Sequence, residues 1–240
     1  MSERYAIYYA PAADDPLWAK AAEWLGIDAL TGETFTGPLA GVSRDELFER
    51  SVSARRYGFH ATIKPPMTLK AGTTRAALED ALAAFAAEVE PVAIGRVKLA
   101  LLDGFIALIP AAQSEELTVF SGDVVEAFEP YRAPLSPAER ARRVEGRAFS
   151  DRQIELIDRY GYPYVFEQFQ LHMTLTDRLA ESERDTYMRA AAEHFGPLAG
   201  AEMVLDRLVL FCETEAGGPF VRLDDYVLTG ESAYDRIRAF

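Results

Sequence analysis

An α+β fold of two β-rich halves with outer helices is the class this sequence predicts, and three observations carry it. Short runs of period-two alternation are interspersed, along all 240 residues, with longer runs of helical period. Adjacent strand-like runs are separated by tight-turn dipeptides, Asp103-Gly104 and Gly217-Gly218, as in antiparallel hairpins. The layout also repeats: histidine strand, helix, strand, glycine turn, strand. His60 lies 44 residues before Gly104, and His172 lies 45 before Gly217. The match is one of layout, and it predicts a single bilobed domain over 1–240. Its pseudo-symmetric halves, at about 50–110 and 165–230, place two antiparallel sheets across a central groove, one histidine strand from each lobe.

The elements follow in chain order. Residues 4–10 alternate with aromatic and β-branched side chains and read as a strand. Residues 15–25 carry Leu17, Ala21, Trp24 and Leu25 at helical spacing and stop at Gly26. A helix at 43–52 opens with Ser43 and, three residues on, Glu46, a capping box. A short strand at 58–63 is expected to end at Pro65-Pro66, neither of which can donate to a ladder. Residues 74–89, rich in Ala, Leu and Glu, form the clearest helix. Strands at 92–102 and 105–109 flank Asp103-Gly104, and 114–128 is helical again.

The proline- and arginine-rich stretch 131–147 reads as a mobile or partly helical connection between the lobes. Beyond it come a helix at 151–160, an aromatic loop at 161–167 and a strand at 169–176. A helix at 183–195 is closed by Gly196-Pro197. Strands at 203–212 and 220–228 complete the chain.

Composition bounds the chemistry. Apolar residues make up 49% of the chain, enough for a sizeable core. No apolar run approaches the roughly 20 residues of a membrane-spanning helix, and the N-terminus carries no basic, apolar leader. A cytoplasmic protein without a membrane partner is expected. The single Cys212 rules out an internal disulfide and a multi-cysteine zinc site. A net charge of −13 argues against long nucleic acid, whose binding draws on many Lys and Arg contacts. The basic residues that occur gather at Arg55-Arg56, Lys64 and 140–147, so a local positive pocket inside an acidic shell fits a small anion.

The two histidine strands carry the chemistry. With side chains alternating at period two, Gly58, His60, Thr62 and Lys64 share one face, as do Gln170, His172, Thr174 and Thr176. The opposite faces are apolar. A whole strand face of hydrogen-bonding side chains must meet water or line a ligand cavity, and two matched copies favour the cavity. A lone histidine is more often a core residue; two in matched contexts point to function. Histidine, with an ordinary pKa of about 6.5, serves as either acid or base near neutrality. Displacement at phosphorus needs one of each, and threonine hydroxyls can donate to the non-bridging oxygens where charge grows. Which histidine is acid and which is base depends on how the substrate lies, and the sequence leaves that open. His194, in the last turn before Gly196, reads as structural.

The pair His60-Ala61-Thr62 and His172-Met173-Thr174 resembles the signature of the two-histidine phosphoesterases, which include LigT-like RNA ligases and cyclic phosphodiesterases. The flanking stretches Arg56-Tyr57-Gly58-Phe59-His60, Tyr131-Arg132-Ala133-Pro134 and Gly161-Tyr162-Pro163-Tyr164 resemble the branch found in bacterial phosphonate-utilisation operons. The resemblance spans nearly the whole chain. It implies a bilobed LigT-like fold, catalysis by both histidines with both threonines, no cofactor and no metal. Gln170 stands where members often carry Arg, so no phosphate contact is assigned to it. Tyr57, Lys64, Arg132 and Tyr164 are the candidates for holding the substrate, a small and cyclic phosphodiester or nucleotide-like molecule, and a monomer is expected.

Other classes fit less well. There is no His-Glu-x-x-His zinc motif and no Gly-x-Ser-x-Gly nucleophile turn. The remaining alternative is a non-catalytic nucleotide- or RNA-end-binding module that keeps the groove without turnover. Retention of both histidines and both threonines counts against it.

Overall fold

The structure, a computed structural model, describes residues 3–196, 198 and 200–230. Strand β1 (Arg4–Tyr9) leads into α1 (Pro16–Leu25), which Asp15 caps by accepting from the Leu17 N–H and which Gly26 ends in the left-handed conformation. The Ser43 capping box opens α2 (Arg44–Glu49), shorter than its periodicity predicts because a second short helix, α3 (Val52–Tyr57), begins almost at once. Strand β2 (Ala61–Met67), helix α4 (Arg75–Glu88), the hairpin β3 (Val92–Leu102) and β4 (Phe105–Pro110), and helix α5 (Glu115–Ala127) follow. The connection contains α6 (Pro137–Val144), and α7 (Asp151–Tyr160) comes after it. Then come β5 (Met173–Thr174), α8 (Glu181–Phe195), β6 (Glu202–Leu205), β7 (Arg207–Glu213) and β8 (Phe220–Val227). Pro197, expected to help close α8, lies outside the described residues.

The fold is α+β with an antiparallel sheet, as predicted, and its two four-stranded halves, β6-β3-β4-β5 and β2-β1-β7-β8, meet at the histidine strands. One eight-stranded sheet runs β6-β3-β4-β5-β2-β1-β7-β8, and the two histidine strands are neighbours at its middle. The stretches 50–110 and 165–230 are interleaved in space: the hairpin β3–β4 of the first lies beside β5 of the second, while β7–β8 joins β2 through β1. The single strand expected at 203–212 is broken at Asp206, so that β6 pairs with β3 at one end of the sheet and β7 with β1 near the other.

Helices α4 and α5 bury apolar faces against the sheet, with Leu78, Leu82, Leu117 and Val124 fully enclosed. Buried apolar area of this kind stabilises by about 25 cal/mol per Å². The indole N–H of Trp24, wholly buried, donates to the Leu175 carbonyl at 2.9 Å and so ties α1 to the segment just beyond β5.

Strand β2 departs from simple alternation twice. Tyr8 pairs with Thr62 but Ile7 with Lys64, and then Tyr5 with Met67, so β2 carries an extra residue at each step. These bulges absorb Pro65 and Pro66, which lie inside the strand instead of ending it.

A candidate active site at the junction of the two histidine strands

The pairing of Ala61 with Met173 fixes how the motifs meet. In that antiparallel register His60 stands across from Thr174, and Thr62 across from His172. Directly opposed residues have Cβ atoms about 4.5–5.5 Å apart, and the two histidines fall on the diagonal, about 7–8 Å. The motifs therefore cross as one square of two imidazoles and two hydroxyls. All four residues line one groove of about 480 Å³.

Each imidazole is oriented in the same way, by the backbone two residues earlier. His60 Nδ1 lies 2.9 Å from the Gly58 carbonyl, and His172 Nδ1 lies 2.7 Å from the Gln170 carbonyl. A carbonyl can only accept, so Nδ1 carries the proton and Nε2 is left for the groove. Gly58 reaches this position because it alone tolerates φ 73°, ψ 175°, and an added Cβ would lie 2.9 Å from that of Ala29.

The two histidines differ beyond that. His60 stacks on Tyr8, with ring centroids 3.7 Å apart and planes 21° from parallel, and its Nε2 is 3.1 Å from the Thr62 hydroxyl. Burial, opposed by the Gly58 carbonyl and reinforced by the neighbouring His172, brings its pKa down to about 4. Burial lowers His172 too, partly offset by its bond to the Gln170 carbonyl. Its ring sits 5.8 Å from that of Phe105.

The four substrate-holding candidates part company. Tyr57, the last residue of α3, lines the groove with its ring 6.3 Å from that of His60. Lys64 does not line it: the bulge between Thr62 and Lys64 turns its side chain to the helix-covered face. There it is 1% exposed and donates to the Val125 carbonyl and to Glu129, both at 2.9 Å. Arg132 is occupied by Glu129, at 2.8 Å, and by the carbonyls of Ala133 and Arg159, and it faces an adjoining cavity instead. Tyr164 is exposed and packs edge-on against Tyr162, which is the tyrosine of that loop that reaches the groove.

Tyr8, Arg4, Phe105, Arg143 and Arg147 also line the groove and were not singled out individually by the sequence. For the last two a signal existed, the cationic run at 140–147. Tyr8 had none, since only strand pairing brings it to His60.

His194 is structural, its Nε2 2.8 Å from the Lys20 carbonyl. Burial lowers its pKa, so it works as a neutral hydrogen-bonding group and not as a charge on the helix end. Among the described residues no group of three His, Cys, Asp or Glu side chains is placed to hold a metal ion, and no helix is long and apolar enough to cross a membrane.

Comparison with known proteins adds three findings. The chain is 34% identical over 234 residues to the ribose 1,5-bisphosphate phosphokinase PhnN of Janthinobacterium sp. (strain Marseille), covering 95% of this chain and 51% of that protein. It is 32% identical to the protein of that name from Laribacter hongkongensis (strain HLHK9), covering 90% and 50%. The chain thus spans about half the length of the curated relatives it matches. Among solved structures it is similar to E. coli LigT complexed with 3'-AMP, at 12% identity and a TM-score of 0.43 over 95% of this chain and 99% of that one. It is also similar to TT0787 of Thermus thermophilus, at 15% identity and a TM-score of 0.43 over 95% and 100%. Residues 62–221, the greater part of the chain, match the family described as "Protein of unknown function (DUF1045)", and to that family this chain belongs.

Proposed function

We propose that this chain is a metal-independent phosphodiesterase that opens a small cyclic phosphodiester by acid–base catalysis between His60 and His172. The observation that carries the reading is the crossed pair of motifs: two imidazoles with Nδ1 tied to backbone and Nε2 left for one groove, each across from a threonine. The Nε2 atoms can approach one phosphorus from two directions, as water attack and departure of the leaving oxygen require.

With one proton shared between them, the imidazole of lower pKa is the neutral one. His60, at about 4, is then the base. It takes a proton from the attacking water as the oxygen–phosphorus bond forms, and His172 gives its proton to the sugar oxygen as the ring P–O bond breaks. The product is a phosphomonoester beside a free hydroxyl. On this reading Thr174 donates to a non-bridging oxygen, and Thr62, whose hydroxyl meets His60 Nε2 at 3.1 Å in the resting groove, does so once that nitrogen has taken its proton from water.

The substrate class comes from the relatives. A kinase named for ribose 1,5-bisphosphate suggests a ribose phosphate, and hydrolysis of a 1,2-cyclic phosphate on ribose 5-phosphate yields that bisphosphate when the bond to O2 breaks. Kinase activity itself is not carried over, because the chain contains no Gly-x4-Gly-Lys-Ser/Thr phosphate-binding loop.

The test is hydrolysis, with EDTA present, of 2',3'-cyclic nucleotides, a ribose 1,2-cyclic phosphate and a chromogenic diester. Turnover of a cyclic member that survives chelation is expected. Loss of all activity on chelation would indicate a metal enzyme, and binding of every member without turnover would indicate a binding module.

A further inference from the structure

The histidine groove opens into a cavity of about 790 Å³, and Arg4, Pro65, Pro66, Arg143 and Arg147 line both. In a chain of net charge −13, five arginines but only two glutamates face this cavity. Both glutamates are already engaged. Glu213, its side chain 1% exposed, is bound by Arg4 and Arg56, and Glu139 closes the Ser136 capping box of α6. Arg132 is held by Glu129.

Arg143 and Arg147 differ from these. Ion pairs engage Arg140 and Arg152 on either side of them, but neither is paired with a carboxylate among the described residues. Burial lowers the pKa of the half-buried Arg143, Tyr162 opposes the shift, and the charges of Arg4 and of the exposed Arg147 add to it, so three guanidiniums are gathered around one partly desolvated group. Such a gathering costs free energy unless an anion occupies it. It is also held in place: the capping box starts α6, Arg140 reaches Asp158 of α7 at 3.0 Å, and the Arg143 guanidinium lies 5.9 Å from the Tyr162 ring. The planar fork of arginine matches the oxygens of a phosphate with two parallel hydrogen bonds.

We propose that Arg143 and Arg147 form a second anion subsite, which holds a phosphomonoester borne by the same sugar as the scissile cyclic diester. The inference rests on reading the groove as a cyclic phosphodiesterase. The shared lining residues make the two sites reachable by one sugar-sized ligand, with the diester between the histidines and the terminal phosphate on the arginines. Selectivity for a doubly phosphorylated pentose over a simple 2',3'-cyclic nucleotide follows.

The experiment has a binding arm and a turnover arm. Calorimetry with ribose 5-phosphate should give about 10-fold weaker binding to R147Q than to the wild-type protein, and about 100-fold weaker binding to R143Q/R147Q. Ribose without phosphate should bind none of them measurably, and inorganic phosphate should lose affinity in the same order. In the turnover arm the wild-type enzyme should have at least a 10-fold lower KM for a ribose 1,2-cyclic phosphate bearing a 5-phosphate than for one lacking it. R143Q/R147Q should lose that preference.

Equal ribose 5-phosphate affinity in wild type and R143Q/R147Q, both folded by circular dichroism, overturns the subsite. So does an equal KM for the two diesters, which leaves the acid–base reading standing. Arginine-dependent binding without turnover of any diester does the reverse: the subsite stands and the hydrolase reading falls. Arg147 lies beyond the end of α6, so R147Q alone serves if the double variant fails to fold.

Discussion

Replacing His60 by glutamine tests the electrostatics of the groove without reference to any substrate. Enclosure against Tyr8 moves His60 from its ordinary 6.5 to about 4 in the folded chain. Between those values the unfolded chain takes up a proton that the folded chain refuses, so the contribution is intact above 6.5 and is lost as pH falls toward 4. At 1.36 kcal/mol per pKa step, the ceiling is about 3 kcal/mol. The ring borders an open groove, and solvent screening there leaves about 1–2 kcal/mol. Glutamine takes up no proton, so the urea-derived stabilities of wild type and His60→Gln should draw together by about that amount between pH 7 and pH 4.5. In melting temperature this is about 2–8 °C for a chain of this size. His172 and His194 are common to both proteins and largely cancel. With three histidines in the sequence, the resonance missing from the variant's NMR spectrum identifies His60 directly. Parallel pH dependence of the two stabilities, or a His60 resonance titrating at 6.5 or above, would refute the reasoning.

Four further outcomes are expected. His60→Ala and His172→Ala should each lower kcat on a cyclic diester by about 10² or more, and Thr62→Val or Thr174→Val by less, in steady-state assays. Because both histidine pKa values lie below 6.5, kcat/KM against pH should peak on the acid side of neutrality, with its acid limb near 4; a profile centred at 7 or above contradicts this. Lys64→Met should cost about 1–3 kcal/mol of stability in chemical denaturation, because Val125 and Glu129 lose their donor, while kcat/KM per folded molecule is unchanged. Gly58→Ala should cost about 1–3 kcal/mol and also lower turnover, since its carbonyl aims His60; Gly72→Ala, at a positive φ with open space around it, should affect stability alone.

Much of the site was legible because it is written in local periodicities. Alternation put His60 with Thr62 and His172 with Thr174 on shared faces, and the register of β2 against β5 preserves that arrangement. Helix limits set by side-chain chemistry were equally plain, as at Asp15, Ser43 and Thr74, where a capping oxygen accepts a backbone N–H. What escaped was set by tertiary pairing. The bulge that turns Lys64 away depends on β1 lying alongside, and a single chain's parity rule cannot register it. For the same reason Pro65 and Pro66 looked like a stop. The segment around His172 looked like an eight-residue strand, but only Met173–Thr174 pairs, because the sheet needs just a narrow joint between β4 and β2 there. Tyr8 reaches His60 from β1, some fifty residues earlier, through contacts that no local pattern encodes.

The interleaved strand order has a consequence for how the molecule comes apart. A protease cut in the α6 region would leave one piece holding β1 to β4 and another holding β5 to β8, and neither could close a complete sheet by itself. The first piece would lack the bridge between β2 and β4, and the second would keep only β5 of the strands that lie between β6 and β7. Nicked protein should therefore stay together through gel filtration and keep its groove, whereas either fragment made alone should be insoluble until its complement is added back.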